Sequence, residues 1–320
     1  MPELPEVEVV RRGLEAAVVG RRIEAVDVRR PDLRFPFPER LADRLSGATV
    51  ERVERRAKYL LVGLSTAETL IVHLGMTGRI SIGAPPVELA DAGAAVDHIA
   101  LAAEVMSRGW TGTGPTTLGA YVYATSALPQ HDHLVLALSG GRTLTYNDPR
   151  RFGFILMTPT PTRNDHPMLA SLGVEPLSDA LDAAYLARQA ADRRADLKAF
   201  LLDQHVIAGL GNIYVCEALF RAGLSPRRVA GCLADRRERP TDRARRLVPE
   251  IKAVLEAAIA AGGSSLRDYR HTDGTSGAFQ EAFAVYDREG EPCVRPGCTG
   301  TVARIVQANR STFHCPACQR

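Results

Sequence analysis

Apolar residues after Pro2 recur at the period of a helix. Val7, Val10, Leu14 and Val18 lie three or four positions apart ahead of Gly20, and Pro5 suits a first helical turn. Beyond residue 22 the period falls to two. Alternation at 23–28, 50–53, 59–64, 69–74, 134–138 and 143–146 predicts short strands. Several short strands behind one helix predict a β-sandwich or flattened barrel. Residues from about 83 to 130 break this rhythm, and the Gly, Thr and Pro content of 109–119 favours a loop, an insertion in the first domain. Past Pro159 and Pro161 the pattern turns helical at 180–190, 197–204, 211–222 and 242–261, with Gly209, Gly211, Gly223, Pro226 and Pro240 as punctuation. The predicted fold class is α+β and multidomain. An N-terminal helix plus β-sandwich domain occupies 1–158, an all-α domain 159–282, and a small cysteine-bearing module 283–320. There is no internal repeat.

Composition narrows the class. With 45% hydrophobic and 24% charged residues among 320, the chain reads as an ordinary globular protein. No apolar run approaches the roughly 18 residues a bilayer requires, so no membrane partner is expected. The opening Met1-Pro2-Glu3 is acidic where a secretory leader is basic, which predicts a cytoplasmic protein. A net charge of +3 does not by itself establish a nucleic-acid partner. The basic residues are unevenly divided: lysine occurs only at Lys58, Lys198 and Lys252. A lysine can give up and recover a proton where a guanidinium cannot, so these three stand out.

Cysteine spacing changes the picture more. Cys293-x4-Cys298, sixteen residues, then Cys315-x2-Cys318 is a four-thiolate pattern for one structural Zn²⁺, with no open coordination position. The intervening 301–306 and 311–313 predict a β-hairpin with 307–310 at its turn. Arg310 there either clamps a phosphate or is a solvated tip. Cys216 and Cys232 lie elsewhere and read as packing residues.

The N-terminus carries candidate chemistry. Removal of the initiator methionine leaves Pro2 as a secondary amine directly before a helix, whose partial positive charge disfavours protonation. Such an amine can attack the C1′ of a sugar and form an iminium. Glu3 and the supporting acid Glu6 sit one turn apart and can move protons. Simple helix-start chemistry explains the same residues. His131-Asp132-His133 reads either as a metal-ligand pattern or as a strand-start pair. Gly209-Leu210-Gly211-Asn212 lacks the spacing of a dinucleotide loop, and no nucleotide cofactor is expected.

Ordered motifs run through nearly the whole chain: Met1-Pro-Glu-Leu-Pro-Glu6, Arg55-Arg-Ala-Lys-Tyr59, His73-Leu-Gly-Met-Thr-Gly78, Asn147-Asp-Pro-Arg-Arg-Phe-Gly153, Leu172-Gly-Val-Glu-Pro176, Gly209-Leu-Gly-Asn-Ile-Tyr214, 272–279 and Tyr286 to Cys293. Together they resemble the formamidopyrimidine-DNA glycosylase family of bifunctional glycosylase/AP lyases. The resemblance implies a helix-two-turn-helix DNA-binding domain, a C-terminal zinc-finger hairpin and damaged double-stranded DNA as partner, bound by a monomer. It implies that Pro2 is the Schiff-base nucleophile, that Glu3 opens the sugar ring, and that Lys58 and Arg310 assist β- and δ-elimination. Met76, Arg150 and Phe152 match the trio that fills the space left by an extruded base, with Arg150 facing the orphaned partner. DNA contacts are implied at His73, His131, Arg193, Asn212 and Tyr286. The chain departs from the family pattern in the x4 cysteine spacing, in the insertion before His131, and in Ala278, where an aromatic residue commonly follows the glycine of the damage-reading loop. The rival readings are an endonuclease VIII-like enzyme for oxidised pyrimidines and a noncatalytic damage-binding protein.

Overall fold

A computed structural model describes residues 2–83, 128–264 and 278–320. The expectations for 84–127 and for 272–277 lie outside the described residues. Helix α1, Leu4–Val18, leads into two four-stranded antiparallel sheets. One has the order β1-β6-β7-β5, formed by Ile23–Val28, Asp132–Leu138, Arg142–Asn147 and Arg79–Gly83. The other has the order β2-β3-β4-β8, formed by Val50–Arg56, Tyr59–Leu64, Glu68–His73 and Phe154–Pro159. Both sheets and α1 contribute to one core, with Val10, Leu14, Ile23, Leu60, Val72, Leu136 and Tyr146 buried together. That shared core makes the pair a sandwich, as predicted.

Two strands are absent from the sequence reading. Phe154–Pro159 shows no alternation because both its faces are covered: Ile155 enters the main core while Leu156 packs on a second cluster with Leu61, Ile71 and Leu169. Arg79–Gly83 is an edge strand in which only Ile80 is buried, so its core-facing side is barely marked in the sequence.

The helical part holds Ala183–Ala190, Leu197–Leu202, Asn212–Ala222 and Asp242–Ala260 around a core that includes Phe200, Leu210, Tyr214, Leu247, Ile251 and Phe279. The first of these helices begins three residues later than the pattern predicts, because Asp182 Oδ1 accepts the Tyr185 N–H at 2.6 Å and caps it there. Gly223, at φ +68°, ends the third. Helix α1 packs against both β2 and the Asp242–Ala260 helix, so it bridges sandwich and helical domain. The hairpin strands β9, Ala303–Gln307, and β10, Arg310–His314, pair in register around a two-residue turn. Gln307 and Arg310 form the last rung of that ladder, and the turn itself is Ala308-Asn309, both at positive φ. A small core of Phe220, Val285, Val302 and Phe313 seats the hairpin on the Asn212–Ala222 helix.

Candidate active site

The first residues of the chain are held by the loop that opens the Asn212–Ala222 helix. Pro2 is buried, and the Leu4 N–H donates to Gly209 O at 3.2 Å. Glu6 reaches back to the Glu3 N–H at 2.8 Å, the reciprocal arm of a capping box. The Glu3 carboxylate turns to the helical domain instead, where Oε1 accepts the Ile213 N–H at 3.1 Å. Such contact demands glycine. A Cβ at Gly211 would fall 2.1 Å from Glu3 Cδ, and one at Gly209, φ +95°, would fall 2.8 Å from Leu4 Cδ1. The Gly-Leu-Gly-Asn motif is therefore a docking surface for the N-terminus. Burial pushes the Glu3 carboxyl up to about 7, opposed by the charge of Lys58 and assisted by that of Glu6. Its Oε2 is buried and has no hydrogen-bond partner among the described residues.

Lys58 arrives on the tight turn between β2 and β3. Its predecessor Ala57 sits at φ +52°, a conformation that L-residues seldom adopt. The turn is clamped from the other domain: Glu175 Oε1 accepts the Ala57 N–H at 2.5 Å and the Arg56 guanidinium at 3.0 Å, while Oε2 takes Arg55 at 2.8 Å. Lys58 is buried to 7% exposure, and its ammonium is held below the usual lysine range by burial, against the opposing pull of Glu3, with the charge of Arg310 adding to the depression. Lys58, Tyr59, His73, Gln204 and Arg310 all line one pocket of about 180 Å³. Gln204 shapes its rim, donating to the carbonyls of Leu202 and Leu210 and accepting the Gly209 N–H.

His73 stacks on Phe154 at 5.1 Å, and its Nδ1 accepts the Gly75 N–H at 3.0 Å. Burial and the charges of Lys58 and Arg34 press its pKa down to about 4. The ring is neutral at neutral pH, and the proton on Nε2 is left to donate.

The hairpin is tied to the same helix start. Lys198, fully buried, donates to Ser311 O at 3.0 Å and to Thr312 Oγ1 at 2.6 Å. Asn212 Nδ2 also donates to Ser311 O, at 3.0 Å. These bonds fix the base of β10, whose first residue Arg310 is exposed. Tyr286 packs edge-on between Phe283 and Phe313. Arg193 is exposed, and its carbonyl accepts the Gly231 N–H.

Met76, Arg150 and Phe152 lie on two loops forced together. A Cβ at Gly75 would meet the Phe152 carbonyl carbon at 2.4 Å, and one at Gly153 would meet the Tyr146 hydroxyl at 1.9 Å. Asp148 is fully buried and joins the loops, accepting Thr77 Oγ1 at 2.5 Å and the Gly153 N–H at 2.8 Å. Met76 and Phe152, on these adjoining loops, are left 38% and 44% exposed. The Arg150 guanidinium lies over the Phe152 ring at 4.7 Å. His131 is half-buried beside Gln130, whereas His133 is buried with Nε2 at 2.9 Å from Asp148 O.

The four C-terminal cysteines converge, their sulfurs all within 4.8 Å of one another. Cys293 and Cys318 are separated by 3.8 Å, and Cys298 and Cys315 by 3.7 Å. Four sulfurs about 2.3 Å from a tetrahedral Zn²⁺ lie roughly 3.8 Å apart, so the set fits that ion. A Cβ at Gly300 would fall 2.7 Å from Cys315 Sγ, which keeps side chains out of the cluster.

The family model for the formamidopyrimidine-DNA glycosylase N-terminal domain matches residues 1–155, and that for the H2TH domain of the same enzyme matches 172–270. The chain belongs to the formamidopyrimidine-DNA glycosylase family. Members from Cereibacter sphaeroides and Rhizobium meliloti are 52% and 50% identical to it, each over the whole of both chains. Among solved structures, the MutM (Fpg) protein of Thermus thermophilus is 38% identical with a TM-score of 0.74, covering 99% of this chain and 98% of that one. The Lactococcus lactis Fpg bound to abasic-site DNA is 28% identical with a TM-score of 0.76, over all of both chains.

Membership in this glycosylase/AP-lyase family agrees with the expectation drawn from the motifs. The described structure brings Glu3, Glu6, Lys58, His73 and Arg310 around the junction of sandwich, helical domain and hairpin. It sets Met76, Arg150 and Phe152 together on a second surface. Glu175 and Asp148 stand within the motifs above and Gln204 closes the predicted helix at 197–204, none of them with a role assigned from the sequence. Each is a polar residue in a loop, and that was the only sign the chain itself offered.

Proposed function

We propose that this protein excises oxidised purines from damaged duplex DNA and cleaves the strand, with Pro2 as nucleophile. The observation that carries this reading is the burial of Glu3 and Lys58 beside each other's charge, with Lys58 lining the same pocket as His73 and Arg310; burial raises the Glu3 carboxyl and lowers the Lys58 ammonium. Loss of Met1 frees the Pro2 nitrogen, which bonds to C1′ as Glu3 gives its proton to the ring oxygen and the C1′–O4′ bond opens. The base then leaves, taking the proton that the proline nitrogen gives up, and an iminium links enzyme and sugar. Lys58 assists removal of the C2′ proton as the 3′ phosphate leaves, and Arg310 assists departure of the 5′ phosphate. Water then releases the remaining sugar fragment.

Recognition follows from the second surface. Met76 and Phe152 fill the space of the extruded nucleotide, and Arg150 faces the orphaned base with a preference for cytosine. His73, His131, Arg193, Asn212 and Tyr286 contact the backbone or the lesion strand. Cys293, Cys298, Cys315 and Cys318 hold one structural zinc, which fixes the hairpin that carries Arg310. The protein works as a monomer on nucleoid DNA in the cytoplasm, with domains at 1–158, 159–282 and 283–320. Excision rates on matched duplexes carrying 8-oxoguanine or an oxidised pyrimidine test the substrate class. A faster rate on the purine lesion is expected, and a faster rate on the pyrimidine lesion contradicts the proposal.

A further inference from the structure

Glu6 is 1% exposed and takes four hydrogen bonds. Oε2 accepts the Glu3 N–H at 2.8 Å, and Oε1 accepts the Tyr214 hydroxyl, the Ser264 N–H at 2.9 Å and the Ser264 hydroxyl at 3.0 Å. An ionised carboxylate offers about four acceptor sites and no donor, so this set suits the charged form; a protonated carboxyl would have to donate into it. The surroundings are built to deliver those donors. Gly263, at φ +90°, brings its backbone so near that a Cβ would lie 3.2 Å from Glu6 Cγ and Oε1. Tyr214 is fully buried, with its ring 5.7 Å from that of Phe279. Neither Tyr214 nor Ser264 has a part in the reaction as written above.

We propose that Tyr214 and Ser264 are positioning residues that keep the negative charge on Glu6, and so leave the one proton of the two-carboxyl pair on Glu3. The proposal rests on the reading of Glu3 as the acid that opens the sugar ring and so permits base release. Two carboxyls one helical turn apart and both buried cannot both ionise cheaply, and the better-solvated one takes the charge. Among the described residues four donors converge on Glu6, whereas Glu3 takes the single Ile213 N–H on Oε1 and its Oε2 takes none. Among the described residues the other titratable or charged groups acting on the pair are Lys58 from the sandwich, Lys198, Cys216 and Tyr286 from the helical domain and its extension, and the chain's amino terminus, while Arg310 of the hairpin acts on Lys58 and Lys198. Burial dominates the upward displacement of Glu3, and the charge on Glu6 adds to it.

The test is single-turnover base release against pH for the Met1-processed full-length protein, beside Tyr214→Phe, Ser264→Ala, Ser264→Thr and Glu3→Gln. With donors removed from Glu6, the proton is shared between the carboxyls and Glu3 ionises earlier. The alkaline limb should move to lower pH by about one unit in Tyr214→Phe and in Ser264→Ala. Ser264→Thr, which keeps the hydroxyl, should restore it. Simple loss of structure would lower the rate at every pH without moving the limb. Should Tyr214→Phe not fold, Ser264→Ala carries the test alone, with the Glu3 carboxyl followed by ¹³C NMR. An unmoved limb in folded variants, with Glu3→Gln inactive, overturns the proposal and spares the assignment of Glu3. Undiminished base release by Glu3→Gln overturns the assignment itself.

Discussion

Glu175 accepts the backbone N–H of Ala57 at 2.5 Å, so a carboxylate of the helical side holds the turn that presents Lys58. The same carboxylate pairs with Arg55 and Arg56, and Arg55 also meets Glu8 at 3.1 Å. Lys58 thus owes its position to an ion-paired joint between sandwich and helical domain.

Glu175→Ala should slow strand cleavage at a preformed abasic site by about 10- to 100-fold, the effect of misplacing one proton-transfer group. Glu175→Gln, which retains one acceptor oxygen, should lose less. Single-turnover cleavage by the two variants, with circular dichroism to confirm folding, checks this. An unchanged rate in Glu175→Ala would show that Lys58 is placed without it.

Because the Glu3 carboxyl is raised from 4.5 to about 7 in the folded protein, its proton is held more tightly folded than unfolded. The associated stability is fully present below about pH 4.5 and is lost as pH rises through about 7. Base release, which needs protonated Glu3, should fall over the same upper limb. Glu3→Gln should abolish base release and flatten the fall in melting temperature between pH 5 and 8. Melting curves of both proteins across that range measure it, and a parallel decline in the two would contradict the shift.

Arg150→Ala should relax discrimination between cytosine and adenine opposite the lesion by roughly 10-fold or more, the worth of a good base-edge contact. Met76→Ala and Phe152→Ala should weaken binding to either duplex, since they fill space rather than read an edge. Competition binding with the two duplexes separates these effects. Equal loss on both from Arg150→Ala would make it a phosphate contact.

Cys298→Ser should release the metal and, with it, the hairpin. The bonds from Lys198 and Asn212 to Ser311 then lose their partner strand, and Arg310 its place. Zinc content near one per chain in the wild type, and DNA affinity reduced at least 10-fold in the variant, are expected. Full affinity without metal would mean the small core of Phe220, Val285 and Phe313 suffices to hold the hairpin.

Much of this architecture was legible from the chain. Period-two alternation found six of the eight sandwich strands, and it failed at Phe154–Pro159, where both faces are covered and four apolar residues run from Phe154 to Met157 with no polar position between them. The catalytic candidates were legible because their chemistry is local: a proline before a helix, two glutamates one turn apart, a rare lysine. Their supports were not. Glu3 is bound by Ile213 and Glu6 by Tyr214 and Ser264, contacts that span most of the chain and leave no local pattern. Gly211 reads in sequence as a helix-start glycine, and only the approach of Glu3 shows why a side chain cannot stand there. Asp148 reads as a turn residue in a motif, yet it is the tie between the two loops that carry Met76 and Phe152.

Covalent catalysis by Pro2 is read out by borohydride trapping. Met1-processed protein is mixed with a duplex bearing one 8-oxoguanine opposite cytosine, reduced, and compared with Pro2→Gly and with an oxidised-pyrimidine duplex. A stable protein–DNA adduct that weakens in Pro2→Gly and is strongest on the purine lesion is expected. Tight binding of the damaged duplex with no adduct on either lesion would contradict it.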